Sequence, residues 1–461
     1  MMNSLDSTIV NVALATLGRE FNVPAASIES LIIGYLVSLA VFIPASGWLG
    51  DRFGTRRIFL IALGIFTGAS MLCGVATSLN QLVAFRVLQG AGGGLLTPVG
   101  MAMLYRTFAP RERVRVGRIL MFALIIGPAS GPILGGLLIE KLSWRWIFFV
   151  NVPVGLVALL IGLLFLEEHK EENPGRFDVP GFVLAGLGFA GTMYALSEGS
   201  SKGWLSGQIL ASGVVGLIIM TVFVMWELRT PEPMVQLRLL SNRLFRTTLV
   251  VSMFATAAFT GILFVVPLFL QEARGASPLQ SGLTTFPEAI GVVCSTQLVA
   301  RLYPKIGPRR LMSGGLFGMV GVLSLLCTVN LESSAWLVRG LMFAMGSCMA
   351  YIFLPNQAAS LATISSEATG RASTMSSVQR QLGAAIGVAI ASSILVAVGP
   401  LKLSRIGEAV PNLTAYRGAF VAAIGFALIG AFIAQRVPDA DAAVTMRSRA
   451  ADVEPILAPA D

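Results

Sequence analysis

Long apolar runs separated by short polar or charged segments recur along the whole chain. A membrane-spanning helix needs about 20 mostly apolar residues, and fourteen runs approach that length. They lie roughly at 1–17, 29–49, 58–77, 80–104, 117–139, 146–166, 180–197, 207–227, 246–270, 281–302, 311–329, 337–362, 378–398 and 416–435. The pattern predicts an all-α integral membrane protein with about 14 transmembrane helices.

The two ends of the chain differ from this pattern. The first run begins at Met1, and its 17 residues would form a helix of about 25 Å, shorter than a hydrocarbon core of about 30 Å. We therefore expect that several residues of the first helix precede Met1. Residues 437–461 are small, acidic and contain proline, which predicts a disordered tail.

Composition agrees with a membrane location. Only 12% of the 461 residues are charged and 55% are hydrophobic, whereas soluble domains carry about 25% charged residues. This excludes an ordinary soluble enzyme and a disordered chain. With both ends of the chain on the cytoplasmic side, cytoplasmic segments hold 23 Lys and Arg and external segments hold eight. Because cytoplasmic loops are enriched in these residues, we predict a multi-pass inner (cytoplasmic) membrane protein with cytoplasmic termini, and no nucleic-acid partner.

Residues that bind metals or form disulfides are scarce. The four cysteines, Cys73, Cys294, Cys327 and Cys348, all lie in apolar runs, and the single histidine, His169, lies in a charged loop. This predicts neither a metal site nor a disulfide framework. Because the sequence also contains no nucleophile motif or phosphate-binding loop, we expect no enzyme activity and no cofactor.

A short repeat divides the chain. Residues 51–57 (DRFGTRR) align without a gap with residues 304–310 (PKIGPRR) at an offset of 253. This predicts two six-helix halves, 1–166 and 246–436, around a two-helix insert with its loops, 167–245. Paired halves around a midplane site are a transporter architecture. Chance recurrence of a basic glycine turn is the alternative, and the second copy lacks the acid that opens the first.

The loop around the first copy reads GWLGDRFGTRRIFL at residues 47–60. Gly54 permits a tight turn, and Asp51 can pair with a neighbouring helix to lock one conformation. A solvated basic loop is the simpler alternative. The run closely resembles the loop between helices 2 and 3 of the major facilitator superfamily. The resemblance implies a conformational-switch loop made of Gly47, Asp51, Arg52, Gly54, Arg56 and Arg57.

An arginine lies inside the fourth span. Arg86, within residues 82–94, is about a turn and a half into the helix. A charge there costs roughly 2.5–3.5 kcal/mol on insertion scales, so it should face the bundle and have a partner. An arginine that extends to the interface is the alternative. The run resembles the superfamily's helix 4 motif, whose arginine is implicated in proton coupling.

The fifth span carries glycines at every fourth position. They allow a neighbouring backbone to approach closely, and plain helix packing is one interpretation of them. The run GPASGPILGGLL at 127–138 also matches the superfamily's helix 5 antiporter motif, which is associated with exporters and largely absent from symporters. The motif residues are Gly127, Gly131, Pro132, Gly135 and Gly136.

Two more runs resemble one particular group within the superfamily. LDSTIVNVALA at 5–15 and WRWIFFVNVP at 144–153 resemble signatures of the 14-helix drug:proton antiporters within the superfamily, although Ala15 stands where the first signature usually has proline. The resemblance covers residues 1–436 in layout, with dense motif matches in the first 156 residues.

Two acids lie well inside the predicted spans, Asp6 and Glu288. Helical rise places Asp6 about 16 Å and Arg86 about 9 Å from the outer surface, so that the two side chains meet if their helices adjoin. Glu288 follows Pro287, and a carboxyl group hydrogen-bonded to backbone opened by that proline is its alternative. Burial and a nearby cation shift a carboxyl pKa in opposite directions, so that a carboxyl group in the membrane can exchange a proton near neutral pH. We therefore expect Asp6, Arg86 and Glu288 to couple protons to transport.

These patterns together favour a transporter with the major facilitator fold in a 6+2+6 arrangement. The expected function is proton-coupled antiport that exports lipophilic, typically cationic, drugs or toxic compounds. The alternative is a major facilitator exporter of one specific metabolite, lipid or siderophore, and the helix 5 glycines argue against a nutrient symporter. The expected partners are protons, small lipophilic or cationic substrates and the lipid bilayer. We expect a monomer, and the sequence is compatible with an adaptor protein as a further partner.

Overall fold

The computed structural model describes residues 2–22, 25–108, 112–171, 175–365, 368–399, 401–403 and 409–446. Most of them are helical, as the hydrophobic pattern predicts. The helices of the first half are α1 Met2–Glu20, α2 Ala25–Phe42, α3 Ser46–Phe53, α4 Thr55–Val75, α5 Leu79–Thr107, α6 Arg113–Lys141, α7 Trp146–Phe149 and α8 Asn151–Phe165.

The insert and the second half complete the chain. The insert contains α9 Val179–Lys202 and α10 Gly207–Arg229, followed by a 3-10 segment, Leu237–Ser241. The second half contains α11 Arg243–Leu268, a π-helical turn Phe269–Ala273, α12 Pro278–Thr285, α13 Pro287–Ile306, α14 Pro308–Leu326, α15 Ala335–Ala359, α16 Thr369–Val398, α17 Leu413–Ala434 and α18 Ala443–Met446. Strands β1 Leu401–Leu403 and β2 Ala409–Pro411 pair antiparallel between α16 and α17.

Each of the fourteen predicted spans overlaps a helix, but fewer helices are long and apolar enough to cross a membrane. Eleven satisfy both conditions among the described residues, or twelve when α2 and α3, which are bent by 53° at their junction, count as one span. The helices α1 and α6 occupy the other two predicted spans without being among these candidates. The all-α membrane fold is therefore confirmed, whereas the exact number of 14 spans stays a prediction.

Helices contact one another both within and between the two proposed halves. In the first half α1 packs on α6, and α5 packs on α2 and α4; in the second, α11 packs on α16 and α17, and α15 packs on α13 and α14. The halves meet where α6 contacts α13 and α15, and where α16 contacts α3 and α5. Helices α9 and α10 form a pair, and α9 contacts both α2 and α16.

The repeated glycine turns lie at corresponding helix junctions. Gly54 between α3 and α4 has φ +97°, and Gly307 between α13 and α14 has φ +84°, a region that favours glycine. An acid from a later segment accepts a backbone hydrogen bond at the start of the next helix in each copy. Glu168 accepts from the Arg56 amide at 3.0 Å, and Asp439 accepts from the Arg309 amide at 2.9 Å. We call the side of the bundle that carries both loops the basic end.

Part of the predicted disordered tail is ordered. Val437, Ala442 and Thr445 are buried, and the Tyr303 hydroxyl lies 2.6 Å from the Thr445 hydroxyl. The expectation of disorder is therefore wrong for residues 437–446, because Asp439 and Thr445 tie this segment to the basic end. Residues 447–461 lie outside the described part of the chain.

Candidate functional site

A charged pair is enclosed in the first half. Arg86 on α5 forms an ion pair with Asp6 on α1, and both side chains are at most 2% exposed. Asp6 also accepts hydrogen bonds from the Gln89 amide at 2.9 Å and from the Asn151 amide at 3.0 Å. The carboxylate is thus surrounded by three donors from two other helices, and the positive and negative charges neutralise each other.

Aromatic and polar side chains close this site. The Arg86 guanidinium lies 4.1 Å from the centre of the Tyr35 ring, a geometry in which a cation is attracted to the ring face. Ser70 on α4 accepts from Asn151 at 3.1 Å and donates to the Phe148 carbonyl at 2.9 Å. The site therefore joins α1, α2, α4, α5 and α8 into one network.

Two members of this network were not singled out in the sequence. Gln89 and Asn151 are fully buried and lie within the runs 82–94 and 144–153. An amide side chain inside an apolar run carries no charge cost that would mark it. The signal that could have identified them is that both lie in runs that resemble family signatures.

The glycines of α6 place α1 within this site. A Cβ added to Gly131 would lie 2.0 Å from the Thr8 hydroxyl, and one added to Gly135 would lie 2.9 Å from the Ile9 side chain. Gly136 has no neighbour within 4 Å of such a Cβ. Two of the motif glycines thus let the backbone of α1 approach α6 two and three residues after Asp6. Gly127 is buried, and the side chain of Pro132 lies outside the described part of α6.

The switch loop forms a second charged cluster at the basic end. Asp51 is 2% exposed and accepts from Arg106 on α5 at 2.8 Å. Arg106 also contacts Glu171 at 3.1 Å, and the Glu171 amide donates to the Asp51 carbonyl at 3.1 Å. Asp51 is thus paired with an arginine outside its own loop, and the loop after α8 holds that arginine from the other side.

The remaining switch-loop residues bind the same segment or face outward. Glu168 accepts from the Arg56 and Arg57 amides at 3.0 and 3.3 Å, and its carboxylate would lie 2.3 Å from a Cβ on Gly54. Arg52 is exposed. Gly54 is therefore required both by its positive φ and by the close approach of Glu168.

The two halves touch at this end. The Ser46 hydroxyl on α3 lies 3.1 Å from the Thr374 hydroxyl on α16. A Cβ on Gly47 would lie 2.9 Å from the same Thr374 hydroxyl and 3.3 Å from the Gly370 carbonyl. On the neighbouring helices, Tyr105 donates to the Gln357 carbonyl at 2.9 Å. The basic end of this conformation is therefore closed by contacts between the halves.

Glu288 lies apart from the Asp6 pair, in the first turn of α13. Its side chain is half-buried, and within the described segments we find no hydrogen bond or ion pair to its carboxylate. The backbone at Glu288 packs tightly on α15, since a Cβ on Gly346 would lie 1.9 Å from the Glu288 carbonyl oxygen. The backbone of Glu288 is thus fixed by its packing on α15, while its carboxylate has no partner among the described residues.

Comparison with known proteins identifies the family. A model of the Major Facilitator Superfamily matches residues 1–388 and, in a second match, residues 248–455. The chain belongs to the major facilitator superfamily. It is therefore a multi-pass membrane protein of a transporter family, as the loop and helix motifs implied.

Several curated proteins resemble the chain over most of its length. The "Multidrug resistance protein B homolog" of Mycobacterium tuberculosis is 33% identical over 401 residues, 86% of this chain and 74% of that protein. The "Putative multidrug resistance protein MdtD" of Klebsiella pneumoniae is 33% identical over 447 residues, 95% and 92% of the two chains. An uncharacterised transporter of Bacillus subtilis, YhcA, is 30% identical over 404 residues, 88% and 76% of the two chains.

Solved major facilitator structures share the fold at low identity. The human organic anion transporter MFSD10 has a TM-score of 0.65 at 17% identity, and covers 94% of this chain and 90% of its own. The proton:xylose symporter XylE has a TM-score of 0.65 at 16% identity, and covers 96% and 95%. Because this identity is low, these two likenesses establish the architecture alone.

Proposed function

We propose that this chain is a proton-coupled antiporter that exports lipophilic, mainly cationic, drugs or toxic compounds across the cytoplasmic membrane. The observation that carries the proposal is the enclosed Asp6–Arg86 pair in one half combined with the unpaired Glu288 carboxylate in the other. Ionisable residues inside membrane spans are costly and mark proton or substrate pathways. The multidrug names of the relatives and the α6 glycine motif support export rather than uptake.

The Asp6 pair acts as a coupling switch in this proposal. Asp6 is fully buried and its carboxylate accepts from Arg86, Gln89 and Asn151, so in this conformation a cationic substrate has no access to it. A proton on Asp6 would neutralise the carboxylate and weaken its hold on Arg86. Because Arg86 stays charged, its guanidinium would then bind another acceptor, and α1 and α5 would move relative to each other.

Glu288 is the exchange site for a proton or a cationic group. Its carboxylate is half-buried and unpaired within the described segments, so one proton or one substrate cation can neutralise it. Competition between the two at a site that faces each side in turn gives antiport. One-for-one exchange of a monovalent cation for a proton moves no net charge. A second proton on Asp6 would add about 2.3 kcal/mol per 100 mV of membrane potential.

The contacts at the basic end supply the conformational switch. By the excess of basic residues this end is cytoplasmic, with both termini on the same side, so the present conformation is closed toward the cytoplasm. Opening it requires separation of Ser46 from Thr374 and of α3 from the start of α16. The Asp51–Arg106–Glu171 cluster joins α3, α5 and the loop after α8, so that these elements move as one unit.

Ethidium transport in everted membrane vesicles tests this function. An exporter accumulates ethidium inside such vesicles when respiration acidifies their lumen. We expect accumulation by the wild type that collapses when the proton gradient is dissipated. Vesicles without the protein, and vesicles with the Glu288→Gln variant at equal abundance, serve as controls, and gradient-independent accumulation would exclude proton coupling.

A further inference from the structure

A second arginine lies deep in a span, and the hydrophobic pattern placed it wrongly. The predicted span 378–398 puts Arg380 in the first turn of its helix, but α16 begins at Thr369. Arg380 is therefore the twelfth residue of a 30-residue helix, about 16 Å along its axis. The physical reason for the error is that the first turns of α16 are polar while still helical, so hydropathy marks their boundary too late.

Arg380 differs from Arg86 and Arg106 in its partners. Arg86 pairs with Asp6, and Arg106 pairs with Asp51. Arg380 donates one hydrogen bond, to the Ser377 hydroxyl on its own helix at 3.3 Å, although a guanidinium has five N–H donors. Within the part of the chain that the structure covers, no carboxylate is paired with it.

The surroundings of Arg380 place it at the junction of the two halves. Helix α16 contacts α3 and α5 of the first half, α9 of the insert, and α11 and α17 of its own half. Arg380 is close enough to Tyr105 on α5 to interact with it electrostatically. Long helical side chains point toward the helix start, so the guanidinium is directed toward the closed basic end.

The exposure of α16 indicates an internal space beside Arg380. From residue 378 to residue 386 every side chain except Gly383 is half-buried, and none is fully exposed. A lipid-facing stretch would alternate exposed and buried residues with the helical period. Uniform partial exposure on a helix contacted by five others is typical of the wall of a narrow cavity.

We infer that Arg380 binds the anionic group of a transported compound, and that lipophilic carboxylates belong to the substrate range of this protein. An arginine fork matches a carboxylate with two parallel charge-assisted hydrogen bonds. The substrate thus supplies the acid that the protein does not provide. The inference rests on the proposed export function and extends it from cations to organic anions and zwitterions, since Glu288 remains available to a positive group in the same half.

A matched pair of dyes tests the inference. Fluorescein and rhodamine 6G share a xanthene skeleton, but fluorescein is an anionic carboxylate at pH 7.4 and rhodamine 6G is a cation. Retained dye is measured by filtration in everted vesicles containing the wild type, Arg380→Gln, Arg380→Lys or Arg417→Gln. Arg417 is exposed on α17, so its variant controls for the loss of one positive charge.

We expect the wild type and Arg417→Gln to accumulate both dyes. Arg380→Gln should lose fluorescein transport by about tenfold or more, as the loss of a charge-assisted hydrogen bond implies, and keep rhodamine 6G transport, whereas Arg380→Lys should regain part of the fluorescein transport. Equal loss of both dyes in Arg380→Gln and Arg380→Lys, or unchanged fluorescein transport in Arg380→Gln, would overturn the inference. A wild type that moves rhodamine 6G but not fluorescein would overturn it and leave the proposed function intact, and one that moves neither dye would refute the proposed function itself.

If Arg380→Gln fails to fold, fluorescein binding to the purified wild type and to Arg380→Lys, which should bind it more weakly, tests the inference. Binding is followed by fluorescence polarisation, with rhodamine 6G as the competitor of opposite charge. Saturable binding that methylation of the dye carboxylate abolishes is the expected result. Equal binding of the methyl ester would overturn the inference.

Discussion

Removing one charge of the Asp6–Arg86 pair should destabilise the fold more than removing both. Asp6→Asn keeps the size of the side chain but leaves the Arg86 guanidinium, about 2% exposed, without a counter-charge. Breaking a buried ion pair from one side costs about 3–5 kcal/mol, whereas replacing both partners is often neutral. We expect Asp6→Asn to lose stability in that range and Asp6→Asn with Arg86→Met to recover most of it.

Arg86→Met should destabilise the fold less than Asp6→Asn. A carboxylic acid can be neutralised by a proton, whereas a guanidinium stays charged at any accessible pH. Asp6 would also keep its hydrogen bonds from Gln89 and Asn151, at 2.9 and 3.0 Å. The order of stability is therefore expected to be wild type, double variant, Arg86→Met, then Asp6→Asn.

The free energy of unfolding in mixed micelles measures this order. The four proteins form a double-mutant cycle, and a direct interaction appears as a coupling energy beyond about 0.5 kcal/mol. A control for the loss of one negative charge is Glu140→Gln, because Glu140 is exposed. Additive single changes, or a double variant less stable than Asp6→Asn, would refute the view that the two charges neutralise each other in the fold.

Two further predictions concern the contacts that position this site and close the basic end. Gly131→Ala should destabilise the protein by about 1–3 kcal/mol through overpacking, because its Cβ would lie 2.0 Å from the Thr8 hydroxyl. Gly136→Ala is the control: its Cβ would have no neighbour within 4 Å, so thermal unfolding should show a neutral or slightly stabilising effect. Equal effects of the two changes would contradict the packing of Gly131 against α1. Ser46→Cys combined with Thr374→Cys should form a disulfide under mild oxidation, since the hydroxyls are 3.1 Å apart, and the disulfide should stop transport until a reductant is added. Cross-linked protein with full transport would show that this contact need not open.

The sequence predicted the architecture well because lipid imposes a strong pattern. Fourteen apolar runs all coincide with helices, and the repeated glycine turns at Gly54 and Gly307 both adopt positive φ. The cost of a charge in lipid also marked Arg86 as a residue that needs a partner, and the depth of Asp6 made it the candidate. The structure brings these two side chains together.

The remaining features depend on tertiary contacts that a hydropathy pattern does not contain. The acids that hold the switch loop, Glu168 and Glu171, lie in a charged segment that resembles any solvated loop. Arg380 lies deeper in α16 than the predicted span 378–398 indicates, because the helix begins before its apolar part. Gln89 and Asn151 were missed because a neutral amide carries no charge that requires a partner inside an apolar run, although each donates to Asp6.

Transport of a permanently charged cation by purified protein in liposomes is the decisive test of proton-coupled antiport. Ethidium is added outside liposomes whose lumen is acidic, and uptake is compared among wild type, Glu288→Gln and protein-free liposomes. We expect the pH gradient to drive uptake by the wild type, ethidium added in excess to release protons from the lumen, and Glu288→Gln to do neither. Ethidium uptake that proceeds equally without a pH gradient and without proton release would contradict proton-coupled antiport.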